Sequence, residues 1–406
     1  MTTMPTTTPP EAPHRSSEPG AAHGRHHWWR WVAGVLAVLL VLFTAVAWYF
    51  SGRIASGALA SNPASFPPAY DDVGIVAVDD TSVTLSKGPD AADNFGAPGS
   101  YGLAWDGGTG QVGPATANPD GTVTRSFELV TGQAPTAGAT AAVERAYWLG
   151  DPAVTMGLTT REVQVDGTFP AWYFPADEPS TTTAIVVHGQ NGSRMDGLRE
   201  VDVLHDLGMP VLVITYRNDV GAPKDPSGRL QYGATEWQDL DAAVTWATGN
   251  GADHVVLVGQ SMGGAVVASF LEKSPQAGVV SRVVLDAPML SLDEAVTYGA
   301  RDELPGGRAV PAPVIWAAEQ LTSLRYGVDW SAVDYLDDTS WVQVPTLVLH
   351  GTADPTVPVT VSQELAAAEP ELVTLETFPD ALHVESWNFD RARYTDLVGS
   401  FLDTTG

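Results

Sequence analysis

The chain has 406 residues, 44% of them hydrophobic, which is enough for one large α/β domain and additional segments. Its formal net charge is -28, with 20 Lys and Arg against 48 Asp and Glu, so the chain would repel phosphates and no nucleic-acid partner is expected. The absence of cysteine excludes disulfides, thiolate metal sites and a cysteine nucleophile.

The first segment, residues 1–30, is rich in Thr, Pro, His and Gly and has no apolar periodicity. Such a composition cannot bury enough apolar surface to offset the chain entropy that folding removes. We predict that residues 1–30 form a disordered cytoplasmic tail.

Residues 31–50 form an uncharged run of apolar and small side chains. At about 1.5 Å per helical residue, the run spans roughly 30 Å, the thickness of a bilayer core. Aromatic side chains flank both ends, as they do at the two interfaces of a membrane: Trp28, Trp29, Trp31, Trp48 and Tyr49. The pattern predicts a single transmembrane helix whose partner is the lipid bilayer.

The charges on either side of this run give its orientation. Arg25 and Arg30 precede it, whereas the sequence after Arg53 is acidic. Because cytoplasmic flanks carry the excess of Lys and Arg, we expect the N-terminus in the cytoplasm and the rest of the chain outside the cell membrane.

A cleaved signal peptide is the alternative, because residues 58–60, Ala-Leu-Ala, resemble a cleavage site. The apolar run is longer than the roughly 7–15 residues of a usual signal core, and the leader before it is long. We therefore favour an uncleaved signal anchor.

Two segments separate the predicted helix from the main domain. Residues 51–68, rich in Ser, Gly, Ala, Asn and Pro, are expected to be a tether. Residues 69–158 contain short strand patterns at 74–78, 81–86, 101–105 and 125–130, separated by turn residues. They predict a small β-rich region with no recognisable chemical constellation.

From residue 159 to residue 406 the sequence alternates between strand and helix patterns. This alternation predicts an α/β domain with a doubly wound, mostly parallel sheet, which binds ligands at the carboxyl ends of its strands. An insertion at 290–344 contains two helical runs. We interpret it as a possible lid, with an ordinary crossover as the alternative.

A glycine-flanked serine follows one of these strands. An apolar run at 255–258 is followed by Gly259, Ser261 and Gly263 in the spacing G-x-S-x-G, and then by a helical pattern at 265–271. A sharp strand–turn–helix connection needs glycines beside the serine, and the helix N-terminus favours negative charge there. This nucleophile elbow predicts Ser261 as a nucleophile.

A nucleophilic serine needs a base, and the base needs an acid that orients it. In such sheets the chain order is serine, acid, histidine, each after a strand. Asp354 lies just past the strand predicted at 346–349, and His383 just past the one predicted at 372–377. We predict that Ser261, Asp354 and His383 form a triad.

Two neighbouring residues are rivals for these roles. Asp380 precedes the histidine within the same loop, so its position suits an orienting acid less well than that of Asp354. His350 lies at a strand end before a glycine, and we expect it to be structural.

An oxyanion needs two hydrogen-bond donors. We predict the backbone N–H of Met262, after the nucleophile, and that of Gln190, in the small-residue loop 188–192. Gly189 is the fallback donor and a possible substrate contact. Tyr216 and Arg217 follow another strand and are also possible substrate contacts, although an Arg so close to an Asp more often ties a loop.

These motifs together resemble the α/β-hydrolase superfamily over roughly residues 160–403, and are most similar to bacterial membrane-anchored hydrolases of the prolyl-oligopeptidase-like and BEM46-like branches. The resemblance rests on His188-Gly189, the glycine-flanked Ser261, the segment from His350 to Asp354, and the loop ending at His383. It implies that Ser261 is the nucleophile, Asp354 the acid and His383 the base. The region before residue 160 does not resemble the propeller of true prolyl oligopeptidases, so peptidase activity is not carried over.

The sequence therefore predicts a serine hydrolase that cleaves a carboxylic ester, or a related acyl bond, in a small-molecule acyl substrate through an acyl-enzyme. A peptidase or acyltransferase on the same triad and a non-catalytic surface protein are the alternatives. No cluster has metal spacing and no cofactor motif is present, so neither metal nor cofactor is expected. The oligomeric state is left open.

Overall fold

The computed structural model describes residues 1–4, 8, 25–89 and 93–403, and the side chains of residues 25–27 lie outside this description. Its first element is a long helix, α1, Arg25–Gly57. The part from Trp28 to Gly57 is long and apolar enough to cross a membrane, and almost none of its most apolar stretch is buried. A helix that is apolar on all sides and exposed is suited to lipid.

Helix α1 is longer than the predicted span of 31–50. Residues 25–30, assigned to the disordered tail, and residues 51–57, assigned to the tether, are helical. Within residues 51–57, the side chains of Ser51 and Ala55, about one helical turn apart, are buried, and those of Arg53 and Ser56 are exposed. The remaining part of the predicted tail, residues 5–7 and 9–24, lies outside the described residues.

A small antiparallel sheet follows and lies within the predicted β-rich region. Its seven strands are β1 Val73–Val78, β2 Ser82–Lys87, β3 Tyr101–Trp105, β4 Gly108–Val112, β5 Thr116–Ala117, β6 Val123–Gly132 and β7 Thr140–Glu144. The strand order is β2-β1-β7-β3-β4-β6-β5, and β2 also pairs with β6. This last pairing closes the sheet into a barrel, which removes most of its free edges.

The barrel interior is apolar except at one mouth, where Arg125 is buried. Its guanidinium donates hydrogen bonds to the carbonyl oxygens of Asn94, Phe95, Ala97, Gly99 and Gly113. These bonds satisfy the two terminal NH₂ groups, whereas the buried Nε has no partner, so they offset only part of the cost of burying the cation. Arg125 therefore holds the loop between β2 and β3 against the barrel.

A short helix, α2 Pro152–Thr155, leads to the larger sheet. Its strands are β8 Arg161–Val165, β9 Phe169–Phe174, β10 Thr182–Val187, β11 Val211–Val213, β12 His254–Gln260, β13 Val280–Asp286, β14 Thr346–Gly351 and β15 Val373–Phe378. Their order is β15-β14-β13-β12-β10-β11-β9-β8. All neighbours are parallel except β8 with β9 and β9 with β11, so the predicted doubly wound, mostly parallel sheet is confirmed.

Helices cover both faces of this sheet. They are α3 Leu198–Asp206, α4 Trp237–Gly249, α5 Met262–Lys273, α6 Leu292–Gly299, α7 Ala312–Tyr326, α8 Val359–Ala368, α9 Ser386–Phe389 and α10 Arg391–Leu402. Alternate residues of β12 face opposite layers: Leu257 packs with α4 and α5, and Val258 with α3 and α10. The strand is buried on both faces, as its unbroken apolar run predicts.

The predicted lid region, 290–344, contains α6 and α7, and α7 packs along the last turns of α1. The hydroxyl of Thr322 lies 3.0 Å from that of Ser51, and Arg325 donates to the Trp48 carbonyl at 3.0 Å. The Arg325 guanidinium also lies 3.8 Å from the centre of the Trp48 ring. The insertion is therefore attached to the apolar helix as well as to the sheet.

Candidate active site

Ser261 lies at the sharp turn between β12 and α5, in the strained conformation that the motif predicts. Its φ is 50° and its ψ is -119°, a backbone region that residues other than glycine rarely adopt. The Ser261 N–H donates to the Asp286 carbonyl at 2.9 Å, and the Met289 N–H donates to the Ser261 carbonyl at 3.0 Å. These bonds to the end of β13 hold the turn in place.

The structure brings the three predicted triad side chains together from three strand ends. Oγ of Ser261 lies 2.8 Å from Nε2 of His383, and Nδ1 of His383 lies 2.7 Å from Oδ2 of Asp354. With Asp354 ionised, Nδ1 carries the hydrogen and Nε2 is free to accept the serine proton. The arrangement is a continuous hydrogen-bonded relay.

Asp354 is buried and fully hydrogen-bonded. Its Oδ1 accepts from the N–H groups of Thr356 and Val357 at 2.7 and 2.9 Å. Its Oδ2 also lies 3.2 Å from Nε2 of His350. Burial alone would raise the pKa of Asp354, but the hydrogen bonds from His350 and His383 outweigh it and place the pKa well below its usual value. The carboxylate is therefore ionised at neutral pH.

His350, the rival base, lies on the other side of this carboxylate. It is fully buried, and its Nδ1 lies 2.7 Å from Oγ of Ser362. The other rival, Asp380, is exposed, and its backbone N–H donates to Thr352. Neither residue contacts Ser261, and the position of His350 fits the predicted structural role.

The loop that carries His383 is strained and strongly held. Val384 has a φ of 56°, which is costly for a β-branched residue, and Arg199 donates to its carbonyl at 2.7 Å. The same guanidinium donates to the side chain of Asn388. Sequence reasoning missed Arg199 because nothing in its helical surroundings distinguishes it from a surface arginine.

The small barrel contributes directly to this loop. The Tyr101 hydroxyl donates to Oε2 of Glu385 at 2.6 Å, and the Asn388 side chain donates to the carbonyls of Ser100 and Arg145. Glu385 is buried, and burial raises its pKa although the hydrogen bond from Tyr101 and the nearby arginines lower it. The barrel therefore packs against the turn that follows the predicted base.

The predicted oxyanion loop is built on two buried rings. His188 places Nδ1 2.9 Å from the Gly189 carbonyl and Nε2 2.9 Å from Oδ2 of Asp219. Burial disfavours the charged ring, but the Asp219 carboxylate and the Gly189 carbonyl outweigh it and raise the pKa of His188. Tyr216 stacks on His188, with ring centres 4.6 Å apart, and donates to the Gly189 carbonyl at 2.8 Å.

The backbone of this loop approaches the serine closely at Gly189. A Cβ added at Gly189 would lie 2.9 Å from Cβ of Ser261, so only a glycine fits there. Met262 is the first residue of α5, and the N–H of a first helical residue has no acceptor within its own helix. The assignment of the Met262 and Gln190 N–H groups as oxyanion donors agrees with these positions and stays a prediction.

The Gln190 side chain serves a different purpose. Its amide donates to the carbonyls of Gly57 and Ala58 at 3.1 and 2.9 Å, and its oxygen accepts from the Tyr232 hydroxyl at 3.1 Å. The end of α1 is thereby bonded to the oxyanion loop. No local sequence pattern signals this contact, since its partners are more than a hundred residues apart.

The two other predicted substrate contacts are engaged with the protein. Tyr216 is fully buried against the oxyanion loop. Arg217 makes hydrogen bonds to both carboxylate oxygens of Asp239, at 2.8 and 2.9 Å, and an ion pair with Asp225. These contacts match the loop-tying alternative for Arg217, and a role of either residue in substrate contact stays a prediction.

Among the described residues, no group of three His, Asp or Glu side chains could hold a metal ion. A cavity of about 650 Å³ borders the oxyanion loop and is lined by His188, Trp172 and Arg194. None of the triad residues lines it. The relay is therefore built without residues of that cavity.

The comparison with known proteins agrees with this geometry. The model of the alpha/beta hydrolase family matches residues 184–397, more than half of the sequence. The chain belongs to the alpha/beta hydrolase family. The model of a domain of unknown function, DUF8805, matches residues 74–144, which are the strands of the small barrel. The branch of the superfamily stays a prediction.

Two curated relatives match more than half of the chain. The uncharacterized protein Rv2307c of Mycobacterium tuberculosis is 28% identical over 238 residues, which span 58% of this chain and 74% of the relative. The uncharacterized protein YqkD of Bacillus subtilis is 26% identical over 234 residues, which span 57% of this chain and 74% of the relative.

Two solved structures resemble more than half of the chain. An esterase of Pyrococcus furiosus has 22% identity and a TM-score of 0.49, over 62% of this chain and 93% of its own. An esterase of a Rhodococcus species has 20% identity and a TM-score of 0.44, over 61% of this chain and 100% of its own. At these values the likeness concerns the fold alone.

The burial of His383 predicts the acid side of the pH profile. Burial is the main cause that lowers its pKa below 6.5, although Asp354 opposes the shift. Because only the neutral ring accepts a proton, kcat/KM should hold as the pH falls to 6.5 and decline only below that value. Ester turnover from about pH 5 to about pH 9 measures this. Incubation at each pH, followed by assay at neutral pH, controls for unfolding, and an inflection above 6.5 would contradict the assignment.

The contact between the barrel and the histidine loop is testable with Tyr101→Phe. Loss of the hydroxyl leaves the buried Glu385 carboxylate short of a donor, which should lower stability by about 1–3 kcal/mol. Because Glu385 is two residues from His383, kcat should fall more than KM rises. Tyr70→Phe is the control, since the Tyr70 hydroxyl makes no hydrogen bond within residues 25–89 and 93–403. Equal behaviour of both variants would show that the contact does not support the loop.

Proposed function

We propose that the protein is a membrane-anchored serine hydrolase that cleaves a carboxylic ester through an acyl-enzyme. The observation that carries the proposal is the relay from Ser261 to His383 to Asp354, with distances of 2.8 and 2.7 Å. Such a relay is the arrangement that activates a serine hydroxyl at neutral pH.

In the proposed reaction, Oγ of Ser261 attacks the ester carbonyl while Nε2 of His383 takes its proton. The resulting oxyanion is stabilised by the N–H groups of Met262 and Gln190. His383 then returns the proton to the departing alcohol, which leaves an acyl-serine. A water molecule, activated by the same ring, releases the carboxylic acid and restores the serine.

An ester is the least demanding substrate for this machinery, because an alcohol leaves more readily than an amine. Asp354 stays ionised throughout and stabilises the imidazolium that forms at each proton transfer. The strained turn at Ser261 is also consistent with catalysis, since strain persists where the surrounding structure enforces it.

The proposed membrane anchor is helix α1, and two observations support an uncleaved helix. Its apolar surface is exposed from Trp28 to Val46. The possible cleavage site at 58–60 is also part of the fold: Leu59 is buried, and its carbonyl accepts from the Leu230 N–H at 3.1 Å. Cleavage at this site would remove the helix whose last residues are bonded to Gln190 in the fold.

The nucleophile is tested with Ser261→Ala. This variant should lose p-nitrophenyl butyrate turnover by at least about 10⁴-fold and should not react with a fluorophosphonate probe. Ser281→Ala is a matched control on the neighbouring strand and should keep both activities. Labelling that survives in Ser261→Ala would overturn the assignment. Failure of the wild type to react with either reagent would favour a non-catalytic protein.

The anchor is tested on the full-length chain expressed in its membrane. We expect the protein to remain in the membrane pellet after a carbonate wash, and mass spectrometry to find residues 31–50 in the mature chain. A soluble chain that begins near Ser61 would show instead that the segment is a cleaved signal.

A further inference from the structure

A second cavity lies between the end of α1 and the two helices of the insertion. Its volume is about 220 Å³. Phe50, Ile54 and Ala58 line it from α1 and its end, Val296 from α6, and Ile315 from α7. The volume is below the roughly 300–1,000 Å³ of a site for a compact drug-sized ligand. A slender apolar group fits its shape and lining better than a polar one.

The charged side chains at this cavity are paired with each other. Arg53 and Glu303 both line it, and their closest atoms are 2.8 Å apart. Arg53 is more than half exposed, so the pair lies at the rim. The interior is therefore left to aliphatic and aromatic carbon, which binds alkyl chains through burial of apolar area.

One end of the cavity lies where α1 leaves its lipid-facing stretch. Phe50 follows Trp48, whose ring is covered by the Arg325 guanidinium. An aromatic ring under an arginine is typical of the boundary between hydrocarbon and water. On α7, the apolar side chains of Trp316 and Leu324 are 63% and 82% exposed, so this helix also presents a surface for lipid.

None of the triad residues lines the cavity, but two of its walls are connected to the candidate active site through hydrogen bonds. The carbonyl of Ala58, a wall residue, accepts a hydrogen bond from the Gln190 side chain at 2.9 Å. Gln190 follows Gly189, which packs on Ser261. From the opposite wall, Val296 is two residues before Tyr298, whose hydroxyl donates to the Asp354 carbonyl at 2.9 Å. One wall is thus bonded to the residue after Gly189, and the other lies two residues from a side chain that contacts Asp354.

We propose that this cavity holds the acyl chain of the substrate, and that the substrate is a long-chain ester taken from the bilayer in which α1 is embedded. The inference rests on the proposed function, since the chain must bring a carbonyl to Ser261. The reaction balances as an ordinary hydrolysis. The acyl–oxygen bond of the ester breaks, the acyl group passes to Oγ of Ser261, and water releases a fatty acid beside the alcohol.

The helix that anchors the protein is, in this proposal, also one wall of its substrate channel. An alkyl chain that leaves the bilayer between α1 and α7 stays in apolar surroundings until its carbonyl reaches the oxyanion loop. Extraction into water is costly, because every CH₂ group of the chain would be exposed to it. A channel of this kind avoids that cost, and a soluble short-chain ester gains nothing from it.

The test uses the full-length chain in phosphatidylcholine vesicles with two fluorogenic esters, the palmitate and the butyrate of 4-methylumbelliferone. Gly299 lines the cavity, and a Cβ added there meets no atom within 4 Å, so Gly299→Leu adds bulk without a clash. We expect this variant to lower kcat/KM for the palmitate by at least about tenfold. Its kcat/KM for the butyrate should stay within about twofold of the wild-type value. Thr297→Leu, exposed on the same helix, is the matched control and should leave both esters unaffected.

A second variant, Ile315→Trp, adds bulk at a half-buried position of α7 that lines the cavity and should show the same selectivity. The proposal is overturned if the wild type shows no preference for the palmitate, or if both cavity variants lower kcat/KM equally for the two esters. It is also overturned if palmitate in separate vesicles is hydrolysed as fast as palmitate in the protein's own vesicles, because the bilayer is then not the source. Butyrate turnover that depends on Ser261 reports the proposed function by itself, so its loss in the wild type marks the failure of that function.

Discussion

The site depends on a close backbone contact between the nucleophile helix and the strand beside it. A Cβ at Gly263 would lie 2.2 Å from the Val187 carbonyl, so α5 can approach β10 only because residue 263 is glycine. That approach brings the oxyanion loop, which begins at His188, over Ser261. The strained turn costs on the order of 1–3 kcal/mol, which the bonds from Ser261 to β13 help to offset.

A buried set of charges lies beneath this turn and carries a cost of its own. Asp286 is fully buried, and burial raises its pKa from 3.8 to about 7, with Arg199 only partly opposing it. Because the folded state holds this proton more tightly, Asp286 reduces stability as the pH rises from 3.8 to 7. The same Arg199 holds the Val384 carbonyl in the histidine loop. Asp286 therefore lowers stability at neutral pH, while Arg199 beside it positions the loop that carries the base.

The sequence was most informative where function depends on local order. Residues at the ends of strands, such as Asp354 and His383, were predictable because parallel strands bring their carboxyl ends together. The barrel strand Gly108–Val112 was not, since its Gly and Thr residues lack an alternating apolar pattern, and its place depends on pairing with distant strands. The hydrogen bonds from the Arg125 side chain to backbone carbonyls, and the bond between Tyr101 and Glu385, also join residues that are distant in sequence. Only the tertiary structure reveals them.

The segment expected to be a tether shows most clearly what local reasoning misses. A Ser-, Gly- and Pro-rich linker predicts freedom between the membrane helix and the hydrolase domain. Instead, the N–H groups of Asn62 and Ala64 donate to the side chain and the carbonyl of Asn191, and the Leu59 carbonyl accepts from Leu230. The domain is thereby fixed relative to the axis of α1. In the proposed membrane-anchored protein, this fixed orientation would keep the cavity between α1, α6 and α7 on the side of the domain that faces the bilayer.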